Sequence, residues 1–492
     1  MRQVADGYEN TLLLKRVPTG VGGLDEILRG GLLEGGVYII QGAPGTGKTI
    51  LGNEICFRHA ASGGRAAYVT LLAELHTRML QHLRSLSFFN EAVIPEALSY
   101  VSAFHTLENA GLKGLIDVLR KEIKGRCATL LVLDGLVAAQ ESAQSDREFK
   151  KFINEVQAHA GAYDCTVLLL TSGGLNKVSP EHTMVDGVIE LEDQLFGVRT
   201  QRSLHVRKFR GSSFLRGRHP FRITDEGICL FPRIEVAFAS PSRHTAPRGR
   251  LASGIDGLDE MLGGGLPAGS TTGLVGAAGV GKTTVGLQFL SLATAQEPAL
   301  LFGFFETPQA LKLKAQSLNL AYGPAVERGD IEVLWQPQRE HILDELGHRL
   351  LAAVRRRNVK RVFIDGLGGL LESACYPERI SRFFACLSNE LRARCATTVF
   401  TMETRDIVGA DVHVPVGGLS ALVENLLFMG FVEHRSTLRR LLSVNKIRDS
   451  DHDPHLREFV ITDRGIALGE VFADMEGVMT GAAHPRTVGG GT

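Results

Sequence analysis

The pattern GxxxxGK[ST] occurs twice in this chain, as GAPGTGKT at residues 42–49 and as GAAGVGKT at residues 276–283. It constrains the fold because it works only where a strand hands over to a helix. The loop's backbone N–H groups and the helix N-terminus then face an anion together. Both copies have that setting. An apolar run precedes each (Val37-Tyr-Ile-Ile and Thr272-Gly-Leu-Val), and helical stretches follow at residues 50–58 and 284–292. Gly42, Gly45 and Gly47 in the first copy, and Gly276, Gly279 and Gly281 in the second, let backbone N–H groups turn toward phosphate oxygens. Lys48 and Lys282 reach terminal phosphates, and the hydroxyls of Thr49 and Thr283 can hold Mg2+. Two sites for ATP with Mg2+ are expected.

The copies belong to a longer repeat. Residues 19–49 read TGVGGLDEILRGGLLEGGVYIIQGAPGTGKT and residues 253–283 read SGIDGLDEMLGGGLPAGSTTGLVGAAGVGKT, aligned without a gap. Of the 31 aligned positions 16 are identical, and Lys48 and Lys282 stand 234 residues apart. That period is a whole domain rather than a solenoid unit. The 492 residues suit two α/β domains, each able to bury its own core. In each, β-rich apolar runs alternate with helical segments, which predicts a mostly parallel sheet flanked by helices. The expected divisions are a leader at 1–15, a first domain at 16–236, a linker at 237–247, a second domain at 248–469 and a flexible tail at 470–492.

Composition narrows the function. With 54 basic and 54 acidic residues the formal charge is zero, so nothing global advertises a nucleic-acid or membrane partner. The N-terminus MRQVADGYEN is too polar for a secretory signal, and no apolar run reaches bilayer-spanning length. The seven cysteines are scattered without a CxxC pair, mostly in apolar surroundings, and read as reduced core residues. A cytoplasmic protein is expected.

A phosphate loop needs a carboxylate for its metal. Two buried-type runs, Thr129-LLVL-Asp134 and Arg361-VFI-Asp365, each end in Asp-Gly-Leu. At the carboxyl end of a parallel strand, Asp134 and Asp365 would lie beside the loop and hold Mg2+ through water. Hydrolysis also needs a group that orients water. The runs at 66–75 and 299–310 are read as strands ending in Glu74 and Glu306, which could align that water; the competing reading is a solvated strand end or helix cap. Finally, Lys208 with Arg210, and Lys446 with Arg448, stand two residues apart, so that on a strand each pair shares a face. Such a pair is either an ordinary solvated face or a set of cations that approaches a neighbouring subunit's phosphates.

Together these residues resemble the KaiC family of the RecA superfamily. The resemblance is carried by TGxxGLDExLxGGxxxG, the phosphate loop, FETPQAL at 305–311, the strand aspartate, K-x-R-x-S, and HD…REFxIT at 452–462, and it spans nearly the whole chain twice. It implies tandem RecA-like P-loop domains assembled into a two-tiered, commonly hexameric ring, with ATP between subunits and the K-x-R pair acting in trans. It further implies slow ATP hydrolysis and, in clock members, serine/threonine autophosphorylation in the second domain, where Ser420 aligns with the phosphorylated serine. Two departures stand out. The adjacent glutamates of clock members are Ala73-Glu74 and Phe305-Glu306 here, and the neighbouring threonine position is Ala421.

The leading expectation is an ATP-hydrolysing ring protein in signalling or regulation, with autokinase activity in prospect. Two alternatives remain. A RecA-like nucleic-acid motor or recombinase is disfavoured by neutral charge and the absence of basic stretches interleaved with aromatics. A nucleotide-dependent scaffold without turnover is motivated by the missing glutamates.

Overall fold

The computed structural model describes residues 14–72, 76–172, 181–238, 249–337, 339–404, 423–434, 436–448 and 450–471, with two short strands at Met475–Glu476 and His484–Pro485. The chain folds as two compact units, Met1–Ala237 and Phe238–Thr492.

Nine strands form the sheet of the first unit: β1 (Val37–Gly42), β2 (Ala66–Thr70), β3 (Leu98–Ser102), β4 (Leu130–Asp134), β5 (Thr166–Thr171), β6 (Gly187–Phe196), β7 (Arg199–Phe209), β8 (Arg218–Thr224) and β9 (Gly227–Leu230). The second unit repeats them as β10 (Thr271–Gly276), β11 (Ala299–Gly303), β12 (Ile331–Trp335), β13 (Arg361–Asp365), β14 (Thr397–Glu403), β15 (Asn425–His434), β16 (Thr437–Ile447), β17 (Arg457–Thr462) and β18 (Gly465–Val471). The spatial orders are β9-β8-β7-β6-β1-β5-β4-β2-β3 and β18-β17-β16-β15-β10-β14-β13-β11-β12. These are the same topology. The six strands from β6 to β3 run parallel, and the last three extend the sheet as antiparallel hairpins. The mostly parallel sheet read from the sequence is therefore present twice.

Burial follows from strand alternation. Tyr38 and Ile40 of β1 face a core with Leu51 and Ile55, whereas Val37 and Ile39 face another with Leu115 and Leu133. Helices cover both faces, so Val37 to Ile40 are apolar on both sides of the sheet. No helix among the described residues is long and apolar enough to cross a membrane.

Much of the repeated sequence builds this frame. Asp25 Oδ1 accepts from Thr19 N at 2.8 Å, and Asp259 Oδ1 accepts from Ser253 N at 2.8 Å. Arg16 Nη1 donates to Leu28 O and Gly31 O, and Arg250 Nη1 donates to Leu262 O and Gly265 O. Their other ends reach Ser212 and Ser450, the serines of K-x-R-x-S. In each unit the arginine thus ties the turn that follows the short helix to the K-x-R-x-S segment.

Three expectations change. The strands before the candidate glutamates are shorter than read: β2 ends at Thr70 and β11 at Gly303. At Glu306 the reason is a helix start. Thr307 Oγ1 accepts from Ala310 N at 3.2 Å, and Pro308 opens the helix Pro308–Ser317. The chain must leave the sheet to make that cap. Of the seven cysteines, only Cys56 and Cys165 are buried, while Cys127 is exposed. Finally, β18 continues through Glu470 and Val471, which were read as tail.

Candidate nucleotide sites

Each phosphate loop leaves the carboxyl end of the central strand and enters a helix, α1 (Lys48–Ala61) or α2 (Lys282–Ser291). Gly42 and Gly276 are demanded by the sheet. A Cβ there would lie 2.4 Å from Leu191 O or 2.0 Å from Met429 O on the neighbouring strand. Gly45 and Gly279 answer to something else. Their φ angles are +83° and +73°, and a Cβ would meet nothing within 4 Å, which is the open ground a phosphate needs. Gly47 and Gly281 also take positive φ where the helix begins, beside Ile223 and Ile461.

The lysines turn back onto their own loops. Lys48 Nζ donates to Gly42 O at 2.7 Å and Ala43 O at 2.9 Å; Lys282 Nζ donates to Gly276 O at 2.9 Å and Ala277 O at 2.7 Å. Desolvation lowers both lysine pKa values, countered by Asp134 at Lys48 and by Glu403 and Asp365 at Lys282. An ammonium ion partly stripped of water and held by carbonyls is poised to move to a phosphate.

The aspartates stand where the strands predict. Thr49 Oγ1 donates to Asp134 Oδ2 at 3.2 Å, and Thr283 Oγ1 donates to Asp365 Oδ2 at 3.1 Å. Burial raises the pKa of both carboxyls, against the lowering effect of their hydrogen bonds. The supporting donors differ between units. Tyr68 OH, on β2, donates to Asp134 Oδ2 at 2.7 Å, whereas Thr401 Oγ1, on β14, donates to Asp365 Oδ1 at 2.9 Å. Spacing along the chain signals neither residue, because each reaches the carboxylate from an adjacent strand. A buried hydroxyl–carboxylate pair offers only oxygen donors, which fits a hard cation such as Mg2+.

Glu74 lies outside the described residues. In the first unit a cavity of about 250 Å3 is lined by Thr49, Thr70, His76, Met79, His82 and Asp134. Glu306 is described, and its Oε1 accepts from Lys314 Nζ at 2.5 Å. Both members of that pair act electrostatically on Asp365, so they border the site. Phe305, in place of a neighbouring glutamate, is exposed and packs beside Gly366.

Lys208 and Lys446 lie on their strands, whereas Arg210 and Arg448 fall just past the strand ends. Lys208 Nζ donates to His182 O, Thr183 O and Val185 O, and Arg210 donates to Thr183 O and Met184 O. Lys446 Nζ donates to Val423 O, and Arg448 lies 4.0 Å from Glu424. Desolvation lowers the pKa of Lys208 and of Lys446, each helped by its arginine neighbour.

A family profile described as "ATPase: KaiC" matches residues 17–235 and again 251–471. This chain belongs to the KaiC family of ATPases. Among its relatives is the circadian clock oscillator protein KaiC of Picosynechococcus, 24% identical over 95% of this chain and 92% of the relative. The protein of that name from Prochlorococcus marinus is 24% identical over 99% of each chain. That from Synechococcus elongatus is 23% identical over 96% of this chain and 93% of its own. The match to KaiC thus covers both units, and the duplicated phosphate loops fall inside the two matched segments. Ser420, which the sequence offers as a phosphorylation site, lies outside the described residues.

Proposed function

We propose that both units bind Mg·ATP and hydrolyse it slowly, within a ring of identical chains that serves signalling or regulation. The observation that carries this reading is the doubled constellation of loop lysine, loop threonine and strand aspartate at the carboxyl edge of each sheet. Lys48 and Lys282 would exchange loop carbonyls for the terminal phosphates. Thr49 with Asp134, and Thr283 with Asp365, would hold Mg2+ directly or through water. When bound, Mg2+ neutralises charge that develops on the phosphates. The remaining work falls to side chains that orient water, for which Glu74 and Glu306 are the candidates from the sequence.

A hexamer and trans action by Lys208, Arg210, Lys446 and Arg448 belong to the same proposal. In support, each pair sits at the end of a strand: Lys208, Arg210 and Lys446 rest on backbone carbonyls and Arg448 lies beside Glu424, from which a neighbouring chain's phosphates could draw them. Autophosphorylation at Ser420 is the finer part of the reading and rests on the family alignment. A cytoplasmic location fits the composition.

Incubation of the purified chain with γ-labelled ATP tests all of this, with released phosphate and protein-bound label read by residue. Lys48→Ala combined with Lys282→Ala should abolish both signals. Unchanged hydrolysis in that double variant would sink the reading.

A further inference from the structure

The second site carries a carboxylate that neither the phosphate loop nor the strand aspartate accounts for. In the parallel ladder between β10 and β14, Gly276 pairs with Glu403, and Thr404 N donates to Gly276 O at 3.1 Å. This fixes the last residue of β14 against the first residue of the phosphate loop. Glu403 Oε1 lies 3.9 Å from Lys282 Nζ, whose side chain is 7% exposed while that of Glu403 is 70% exposed. Two residues earlier on the strand, and therefore on the same face, Thr401 donates to Asp365. One face of β14 thus serves the metal carboxylate at one end and the loop lysine at the other.

A phosphate-loop lysine goes to the β- and γ-phosphates. A carboxylate one ion-pair length from its ammonium consequently borders the γ-phosphate, on the open side of the site. Glu306, the carboxylate expected for this task, is instead bound to Lys314. In the first unit the ladder pairs Gln41 with Thr171, so the next residue, exposed Ser172, occupies the place of Glu403.

We propose that Glu403 is the catalytic residue that orients the attacking water in the second site. The assignment rests on the ATPase reading above. Its carboxylate accepts a hydrogen bond from the water, whose oxygen lone pair forms the new bond to the γ-phosphorus. The bond between that phosphorus and the β,γ-bridging oxygen breaks, and its electron pair leaves on ADP. The water's proton passes to Glu403 and from there to solvent. A carboxylate in this place also repels the γ-phosphate of bound ATP, an effect that ADP does not feel.

The test uses the full chain with Lys48→Ala, so that turnover reports the second site. Adding Glu403→Gln should lower phosphate release at least about 100-fold, the range of a lost general base. The same change should tighten binding of fluorescently labelled ATP several-fold and leave labelled ADP unchanged. Turnover retained within twofold, or ATP binding that is equal or weaker, overturns the assignment. If the Lys48→Ala protein releases no phosphate at all, the ATPase reading of this site fails separately. The nucleotide affinities then still decide: equal ATP affinity with and without Glu403→Gln overturns the placement of Glu403 against the γ-phosphate.

Discussion

Gly276→Ala and Gly279→Ala change two glycines of one loop, and the structure expects them to fail differently. At Gly276 the new methyl would sit 2.0 Å from Met429 O and 2.9 Å from its carbonyl carbon. Ordinary carbon–oxygen contacts are about 3.3 Å or longer, so β10 and β15 would have to part by more than an ångström. Both are central strands, with no soft side chain to give way. Overpacking of this kind costs about 1–3 kcal/mol, and each ladder hydrogen bond lost adds about 1 kcal/mol. About 3 kcal/mol is a fair sum. With a urea m-value of about 2–3 kcal/mol/M, the unfolding midpoint falls by about 1 M. At Gly279 the methyl meets nothing, and only the left-handed conformation costs, at about 1–2 kcal/mol. The assay is simple, because the chain's one tryptophan is Trp335 on β12, half-buried in the same unit. Its fluorescence across a urea titration reads the second unit alone. Gly276→Ala should unfold well before Gly279→Ala, whereas Gly279→Ala should lose ATP affinity while still folded. A Gly276→Ala protein as stable as Gly279→Ala would refute the division of labour among these glycines.

Asp365→Asn should raise the melting temperature of the nucleotide-free protein and remove its stabilisation by Mg·ATP, read by calorimetry. Burial lifts this carboxyl's pKa, so the stability tied to it is full below the unfolded value and lost as pH rises through the folded value. At neutral pH the native charge is therefore a penalty that asparagine lacks, and each kcal/mol recovered shifts melting by about 2–4 °C. Lys314→Met breaks a partly exposed ion pair, so stability read from thermal melting should fall by less than about 1 kcal/mol, and second-site phosphate release should change by less than Glu403→Gln changes it. Asp453 is held at about 2 by His455 N and Arg457. The stability it contributes is present above the unfolded carboxyl value and lost as pH falls through about 2. Asp453→Asn should thus lower the melting temperature slightly at pH 7 and leave it unchanged below pH 2.

The parts legible in the sequence are those that depend on neighbours along the chain. The phosphate loops, their flanking strand and helix, and the aspartates ending β4 and β13 are local patterns, and each lies where its pattern puts it. What the sequence concealed depends on register between strands. Tyr68 and Thr401 serve equivalent carboxylates from different adjacent strands, so no shared motif marks them. Glu403 is likewise meaningful only because the ladder sets it opposite Gly276. At Glu306 two local signals competed: the apolar run favoured a longer strand, and Thr307-Pro308 favoured a helix cap. The cap prevailed because it satisfies an orphan helix N–H, whereas extending β11 would not have buried further apolar surface: Phe305, one residue short of Glu306, is 53% exposed.

The duplication therefore preserves the binding parts and varies the groups that act on the γ-phosphate. Loop glycines, lysine, threonine and strand aspartate coincide in both units. Around them, Ser172 in one unit corresponds to Glu403 in the other, and the position eight residues after the glutamate holds His82 in one and Lys314 in the other. Each difference changes the side-chain chemistry at the edge of its site. A site with Glu403 has a carboxylate to orient water and a built-in repulsion against ATP. Ser172 itself supplies neither. On that chemistry the first site should hold ATP longer and the second should turn it over faster. Single-turnover phosphate release from Lys48→Ala and Lys282→Ala proteins measures the two separately, and a faster first site would contradict the argument.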